Sequence, residues 1–371
     1  MEFARRRARR RPAFALPLLT FAAGALLAVG PAQAPAGTPA GESGAAGKAR
    51  VARDACTRYA APGGSDSSRG TKRRPFRTAQ RLADSLRPGQ AGCLRGGVYG
   101  EADDRYVLKL ERGGRRGTPL TIRSYPGERA TLVGAVWIPE AASHVTLSHL
   151  RIRGIRDEKT IKIYTAGVAV MHSDISSPRL GRSCMMLGST SGYGQAVGTI
   201  IRGNRFHDCG GEEKDLGHGI YAQNVVGARI TGNVFWRMQK YAIQFYPFAQ
   251  GTYFARNVID GGPPSVRGGV LFGGNEDYAS SGNVVERNVI AYARTANITS
   301  GWNETVGSGN VARRNCVWGA GDENIDGSDG GFGTEGNVVA RPSFVNRQRH
   351  DYRLRRGSRC RRVVGFARPG S

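Results

Sequence analysis

Residues 212–224 read "EEKDLGHGIYAQN" and gather two glutamates, a lysine, an aspartate, a histidine and a tyrosine around a short apolar run. A lysine stripped of water, or a histidine, can take a proton. A phenol can return one, and a cation can hold a developing negative charge. Lys214 and His218 are the candidate bases here and Tyr221 the candidate acid. Arg237 and Lys240, one repeat further on, are candidate charge neutralisers. Together they suit β-elimination from a uronic acid, in which the proton beside the carboxylate is removed and the leaving oxygen is protonated. Gln223, Gln244 and Tyr246 add amide and aromatic surface suited to sugar rings. The competing reading is a solvated charged loop running into an ordinary strand face.

Two acidic stretches invite a metal reading: Asn275 to Asp277, and the run holding Asp322, Glu323, Asp326 and Asp329. Calcium needs six to eight oxygens from several places, and neither stretch matches an EF-hand loop. Calcium is therefore the one cofactor considered, with Asp322, Asp326 and Asp329 as ligand candidates. A serine-type triad, a phosphate-binding loop and a dinucleotide fingerprint are absent.

The elements that would position these groups repeat. "GTIIRGNRFHDC", "ARITGNVFWRM", "TYFARNVIDGG", "NVVERNVIAYA" and "NVARRNCVWGA" each carry a short apolar strand, an asparagine, then two or three apolar residues. The asparagines are Asn204, Asn233, Asn257, Asn288 and Asn315, spaced about 24 to 31 residues apart, in the range of a solenoid. Asparagine tolerates the left-handed backbone of a sharp bend, and its amides can bond up a stack. "NVVARPSFVN" reads as a last copy with Pro342 in the asparagine place. Glycine, 54 of 371 residues, is about twice average usage and fits tight turns. Three strands per coil are expected.

The first 34 residues have a basic start, an apolar run and an A-x-A-like end, the pattern of a secretory signal peptide, and residues 35–54 read as a flexible linker. No later apolar run is long enough to span a bilayer. Residues 55–371 are expected to form one secreted, monomeric domain. The formal net charge is +25, and the first 34 residues account for only a small part of it. Such a surface attracts polyanions; an acidic polysaccharide is the partner expected, and nucleic acid, which rests on charge alone, is not. The six cysteines, Cys56, Cys93, Cys184, Cys209, Cys316 and Cys360, fit an oxidising compartment and allow fifteen pairings.

From about Cys56 onward the chain resembles the right-handed parallel β-helix proteins of the pectate-lyase-like superfamily. The resemblance rests on the opening pattern "YAAPGGSDSSRGTKRRPFRTAQRLADSLRPGQAGCLRGGVYGE", the first-coil segment "GTPLTIRSYPGERATLVG" and the closing segment "NRQRHDYRLRRGSRC". It implies an all-β right-handed parallel β-helix with an N-terminal capping helix in "PFRTAQRLADSLRPG" and a closing segment over the other end. It implies the pairs Cys56–Cys93, Cys184–Cys209 and Cys316–Cys360. It also implies a substrate groove along the first strand ladder. Aligning the repeats on their apolar positions puts Met185, Ile220, Ile243, Val270, Ile298 and Ile325 inward. Met186, Tyr221, Gln244, Leu271, Thr299 and Asp326 then face outward. The superfamily holds lyases, hydrolases, epimerases and proteins of no known activity, so a non-catalytic carbohydrate-binding solenoid stands beside the lyase.

Overall fold

The computed structural model describes residues 55–101, 105–177, 182–210, 217–301 and 306–364. The expected signal peptide and linker, and Lys214, lie outside the described residues. One coil shows the plan. Ile220–Val226 runs in one sheet, the chain turns at Gly227, Arg229–Thr231 runs in a second, and Val234–Met238 in a third before Ile243–Gln250 rejoins the first. Repetition stacks these into three parallel sheets. Sheet A has eleven strands, from Arg58–Ala60 to Phe332–Glu335. Sheet B has ten, from Gly97–Tyr99 to Val338–Val339. Sheet C, also of ten, runs from Tyr106–Lys109 to Ile325–Asp326. The architecture is a parallel β-helix.

Period-two alternation sends one side of every strand into a single narrow core. Met185, Ile220, Ile243, Val270 and Ile298 are fully buried in register, and Ile325, on the last coil, is half-buried. Phenylalanines stack up the axis, Phe206 on Phe235 at 4.8 Å and Phe245 on Phe272 at 5.4 Å.

The asparagines form one ladder, but they do not make the bend. The left-handed residue is the one before each: Gly203, Gly232, Arg256, Arg287 and Arg314, with φ between 51° and 67°. Each asparagine instead holds its neighbours. The Nδ2 of Asn204, Asn233, Asn257 and Asn288 donates to the Oδ1 of the next rung at 2.9–3.1 Å. The same Oδ1 also accepts the backbone N–H of the rung before. A non-glycine left-handed residue costs about 1–2 kcal/mol, and the paired amides beside it help to hold the strained arginines in place. The last rung is Asn337, bonded to Asn315 at 3.0 Å, not the Pro342 position. The final coil is only 22 residues long, so aligning at the usual spacing overshoots it.

A helix, Ala79–Ser85, begins where Thr78 accepts the Arg81 N–H and Asp66 accepts the N–H groups of Arg77 and Thr78. Leu82 and Leu86 lie on Gly92, where a Cβ would have no room. The closing segment does not simply cover the far end. Phe344–Asn346 and Asp351–Leu354 form an antiparallel hairpin laid along the outside of sheet B. Outward Val234, Trp236, Val258, Val289 and Cys316 there make a second apolar cluster with Phe344, Tyr352 and Cys360. An apolar stripe on an outer strand face needs a cover, and the hairpin supplies it. Disulfides join Cys56–Cys93, Cys184–Cys209 and Cys316–Cys360, the last tethering this segment.

Candidate functional site

The outer face of sheet C carries the row read from the sequence. Met186, Tyr221, Gln244, Leu271, Thr299 and Asp326 are paired in register, and the row continues upstream through Lys162 and Trp137. Tyr221 lies 5.4 Å ring to ring from His218, which stacks on Tyr241 at 6.0 Å. Burial, with a smaller contribution from Tyr246, raises the Tyr221 phenol above its ordinary range, so it keeps its proton. Gln244 is buried. Gln223 and Tyr246 are half-buried, and the Gln223 Oε1 has no hydrogen-bond partner among the described residues. The register slips by one residue between Ala222 and Asn224, which offsets the two.

Two candidates are placed otherwise than on the rim of a groove. His218 is only 2% exposed, walled in by tyrosines rather than standing on the rim of a groove. Arg237 does not join Tyr221. Its left-handed backbone, φ 57°, interrupts the ladder one residue before the sheet B strand ends, and its side chain pairs with Asp208 at 2.7 Å. It lines a different pocket, of about 190 Å³, with Trp236, Asp260, Arg347, His350 and Tyr352. Lys240 lies half-buried in the loop between sheets B and C, its N–H on the Gly217 carbonyl at 2.9 Å. The Asp326 carboxylate is taken up by the N–H and Oγ of Ser328 and by Thr299 Oγ1. No three His, Cys, Asp or Glu side chains converge among the described residues, so Asp322, Asp326 and Asp329 do not form a calcium cage there.

Aligning only the asparagine-bearing repeats misses a platform two coils upstream. Trp137 packs edge-on against Tyr106 and Tyr193 and lies 5.0 Å from Tyr164. Tyr164 and Tyr193 stack at 5.5 Å, and Tyr193 is 55% exposed. The Lys162 ammonium sits over the Tyr106 and Trp137 rings, at 4.8 and 4.7 Å, and pairs with Glu158 at 2.8 Å. Glu158 also binds Arg105 at 2.8 Å. Burial works against its charge, but hydrogen bonds from Lys162 and Arg105 keep its carboxyl below the ordinary range. Burial, then the charges of Arg182 and Lys162, lowers the Lys159 ammonium. The signal was present in "VWI" and "IKIY", whose middle residues extend the outward row.

The fold is a parallel β-helix similar to that of solved pectate and rhamnogalacturonan lyases. Pectate lyase Pel9A superimposes with a TM-score of 0.55 at 13% identity, over 83% of this chain and 92% of that one. A rhamnogalacturonan lyase superimposes with a TM-score of 0.59 at 14% identity, over 79% and 91%. At that identity the likeness is one of fold. No protein-family model matches the chain. A stretch of 119 residues, 32% of the chain, is 30% identical to the uncharacterized protein YwoF of Bacillus subtilis (strain 168), and the match spans 23% of that protein's length.

Proposed function

We propose that the protein is a secreted, carbohydrate-active β-helix that binds an acidic polysaccharide along the outer face of sheet C and cleaves it by β-elimination. The observation that carries this reading is the aromatic platform of half-buried Trp137, buried Tyr164 and exposed Tyr193, which lies beside Lys162 and is continuous with Tyr221 and Gln244. Aromatic faces take sugar rings, and cations beside them favour a uronate over a neutral sugar. Pectate and rhamnogalacturonan lyases with this fold support the substrate class. The three disulfides fit an oxidising compartment, and no helix among the described residues is long and apolar enough to cross a membrane.

In the reaction, a base takes the proton on the carbon bearing the carboxylate. The electron pair forms the new carbon–carbon double bond, and the glycosidic oxygen leaves and is protonated. Lys159, half-buried two residues before the Ile161–Ile163 strand that carries Lys162 on the outer face of sheet C, with its ammonium lowered by burial, is the base we assign; Lys214, seven residues before Tyr221 in sequence, is the alternative. A tyrosine of the face, Tyr164 or Tyr221, is held protonated by burial and suits the acid.

The second reading, a non-catalytic carbohydrate-binding solenoid, is favoured by the burial of His218 and the diversion of Arg237 to Asp208. A panel of polyuronates separates the two, run with and without a chelator. Release of an unsaturated, ultraviolet-absorbing product that Lys159→Ala abolishes supports the lyase. Binding without product supports the solenoid. Neither binding nor product on any polyuronate would sink both.

A further inference from the structure

The first and last coils carry segments of opposite charge. The first strand of sheet A, Arg58–Ala60, is flanked by the segment 69–77: the Gly70 carbonyl accepts the Tyr59 N–H, and the Phe76 carbonyl accepts the Ala61 N–H. Between residues 69 and 81 stand Arg69, Lys72, Arg73, Arg74, Arg77 and Arg81, all exposed, with no acidic residue among them. At the other end, residues 321–336 hold Asp322, Glu323, Asp326, Asp329 and Glu335 and no lysine or arginine, in a chain of net charge +25. Glu335 has a long contact with Arg314, at 3.9 Å.

Among the described residues the acidic end is also without a covering strand. Ile325–Asp326, Phe332–Glu335 and Val338–Val339 are the last strands of the three sheets, with one edge unpaired among the described residues. Positions that are fully buried one coil earlier are uncovered here. Val317 is succeeded by Val339, 55% exposed; Ala312 by exposed Thr334; and Ile298 by half-buried Ile325. The closing hairpin lies along sheet B instead. Unpaired edges over apolar positions are templates for another chain.

We propose that this acidic end docks on the basic end of a second copy, head to tail, in departure from the monomer expected from the sequence. Eleven strands put the two ends roughly 50 Å apart. That is several Debye lengths, so they cannot neutralise one another within one chain. Between copies they meet directly. The contact is heterologous, so it extends into open-ended oligomers rather than closing as a dimer. It leaves the outer face of sheet C uncovered and does not depend on how that face is used.

Sedimentation velocity on the full chain tests this, as a function of protein concentration and salt. The wild type should gain mass with concentration at roughly 20 mM salt and revert to monomer at roughly 0.5 M, where the Debye length falls to a few ångströms. Two charge-reversed variants carry the argument: Asp322→Lys with Glu323→Lys and Asp329→Lys, and Arg69→Glu with Arg73→Glu and Arg74→Glu. Each should remain monomeric alone at low salt with an unchanged melting temperature, and a one-to-one mixture should associate again. A wild type that stays monomeric at low salt and hundreds of micromolar overturns the proposal. So do variants that associate as the wild type does, and association that requires calcium and is lost with a chelator, which would mean acidic ends bridged to each other.

Discussion

Replacing Asn233 by alanine tests the ladder where it is most enclosed. Asn233 Nδ2 donates to the Ile201 carbonyl and to Asn257 Oδ1, both at 3.0 Å. Its Oδ1 accepts the backbone N–H of Asn204 at 2.9 Å and the Asn204 Nδ2 at 3.0 Å. Alanine removes all four bonds. Some groups retain a partner: Asn257 Oδ1 keeps the N–H of residue 233, and Asn204 Nδ2 keeps the Val170 carbonyl. The Asn204 N–H loses its acceptor at a site only 1% exposed, and the Ile201 carbonyl loses a donor. An orphaned buried donor costs about 1–3 kcal/mol and each lost bond about 1 kcal/mol or less, so the variant should lose about 3 kcal/mol. Urea denaturation should show a lower midpoint at unchanged slope, and hydrogen exchange should show faster exchange at the Asn204 amide. Asn337→Ala, at the half-buried last rung where truncation opens the Asn315 N–H to solvent, should cost about 1 kcal/mol. Equal losses at the two rungs, or a loss below about 0.5 kcal/mol at Asn233, would refute the account of the ladder as buried amides that depend on one another.

His207 gives a pH dependence on sheet B. Burial pulls its pKa down, but hydrogen bonds to Asp174 at 3.1 Å and Asp208 at 2.7 Å hold it above the ordinary value. Its stabilising charge is therefore fully present below about pH 6.5 and lost as pH rises through the folded pKa. Asp174 and Asp208, both held low, stabilise above about pH 4 and lose that as pH falls. The melting temperature should carry this contribution between about pH 4 and 6.5, and His207→Gln should flatten the alkaline limb. Changing Cys316 and Cys360 together to serine opens a bridge of sequence separation 44 and should cost about 4 kcal/mol, seen as protease cleavage of the closing hairpin before the solenoid. Tyr193→Ala should weaken polyuronate binding about tenfold, or about 1.4 kcal/mol, by titration calorimetry, without moving the melting temperature of a residue already 55% exposed.

Repetition made much of this protein legible in one dimension. Once asparagines recur at coil spacing, strand alternation decides the inner and outer rows, which is why the positions from Met185 to Ile325 and from Met186 to Asp326 could be named before any coordinates. Local backbone chemistry was harder to assign. The ladder residue was visible, but the left-handed residue sits one place earlier, where arginine stands at three of the five rungs and glycine at two. What only the tertiary structure decided depends on contacts that no repeat encodes. Arg237 meets Asp208 because both take a left-handed backbone at the same place on neighbouring sheet B strands. Lys162 sits among Tyr106, Trp137 and Glu158, which come from three separate segments. The closing hairpin lies on sheet B because an outward row of valines and a cysteine needed cover, so it does not close the acidic end. Periodicity says which way a side chain faces. Which partner it finds there depends on loops of unequal length, and those bring distant residues together only once the coils are wound.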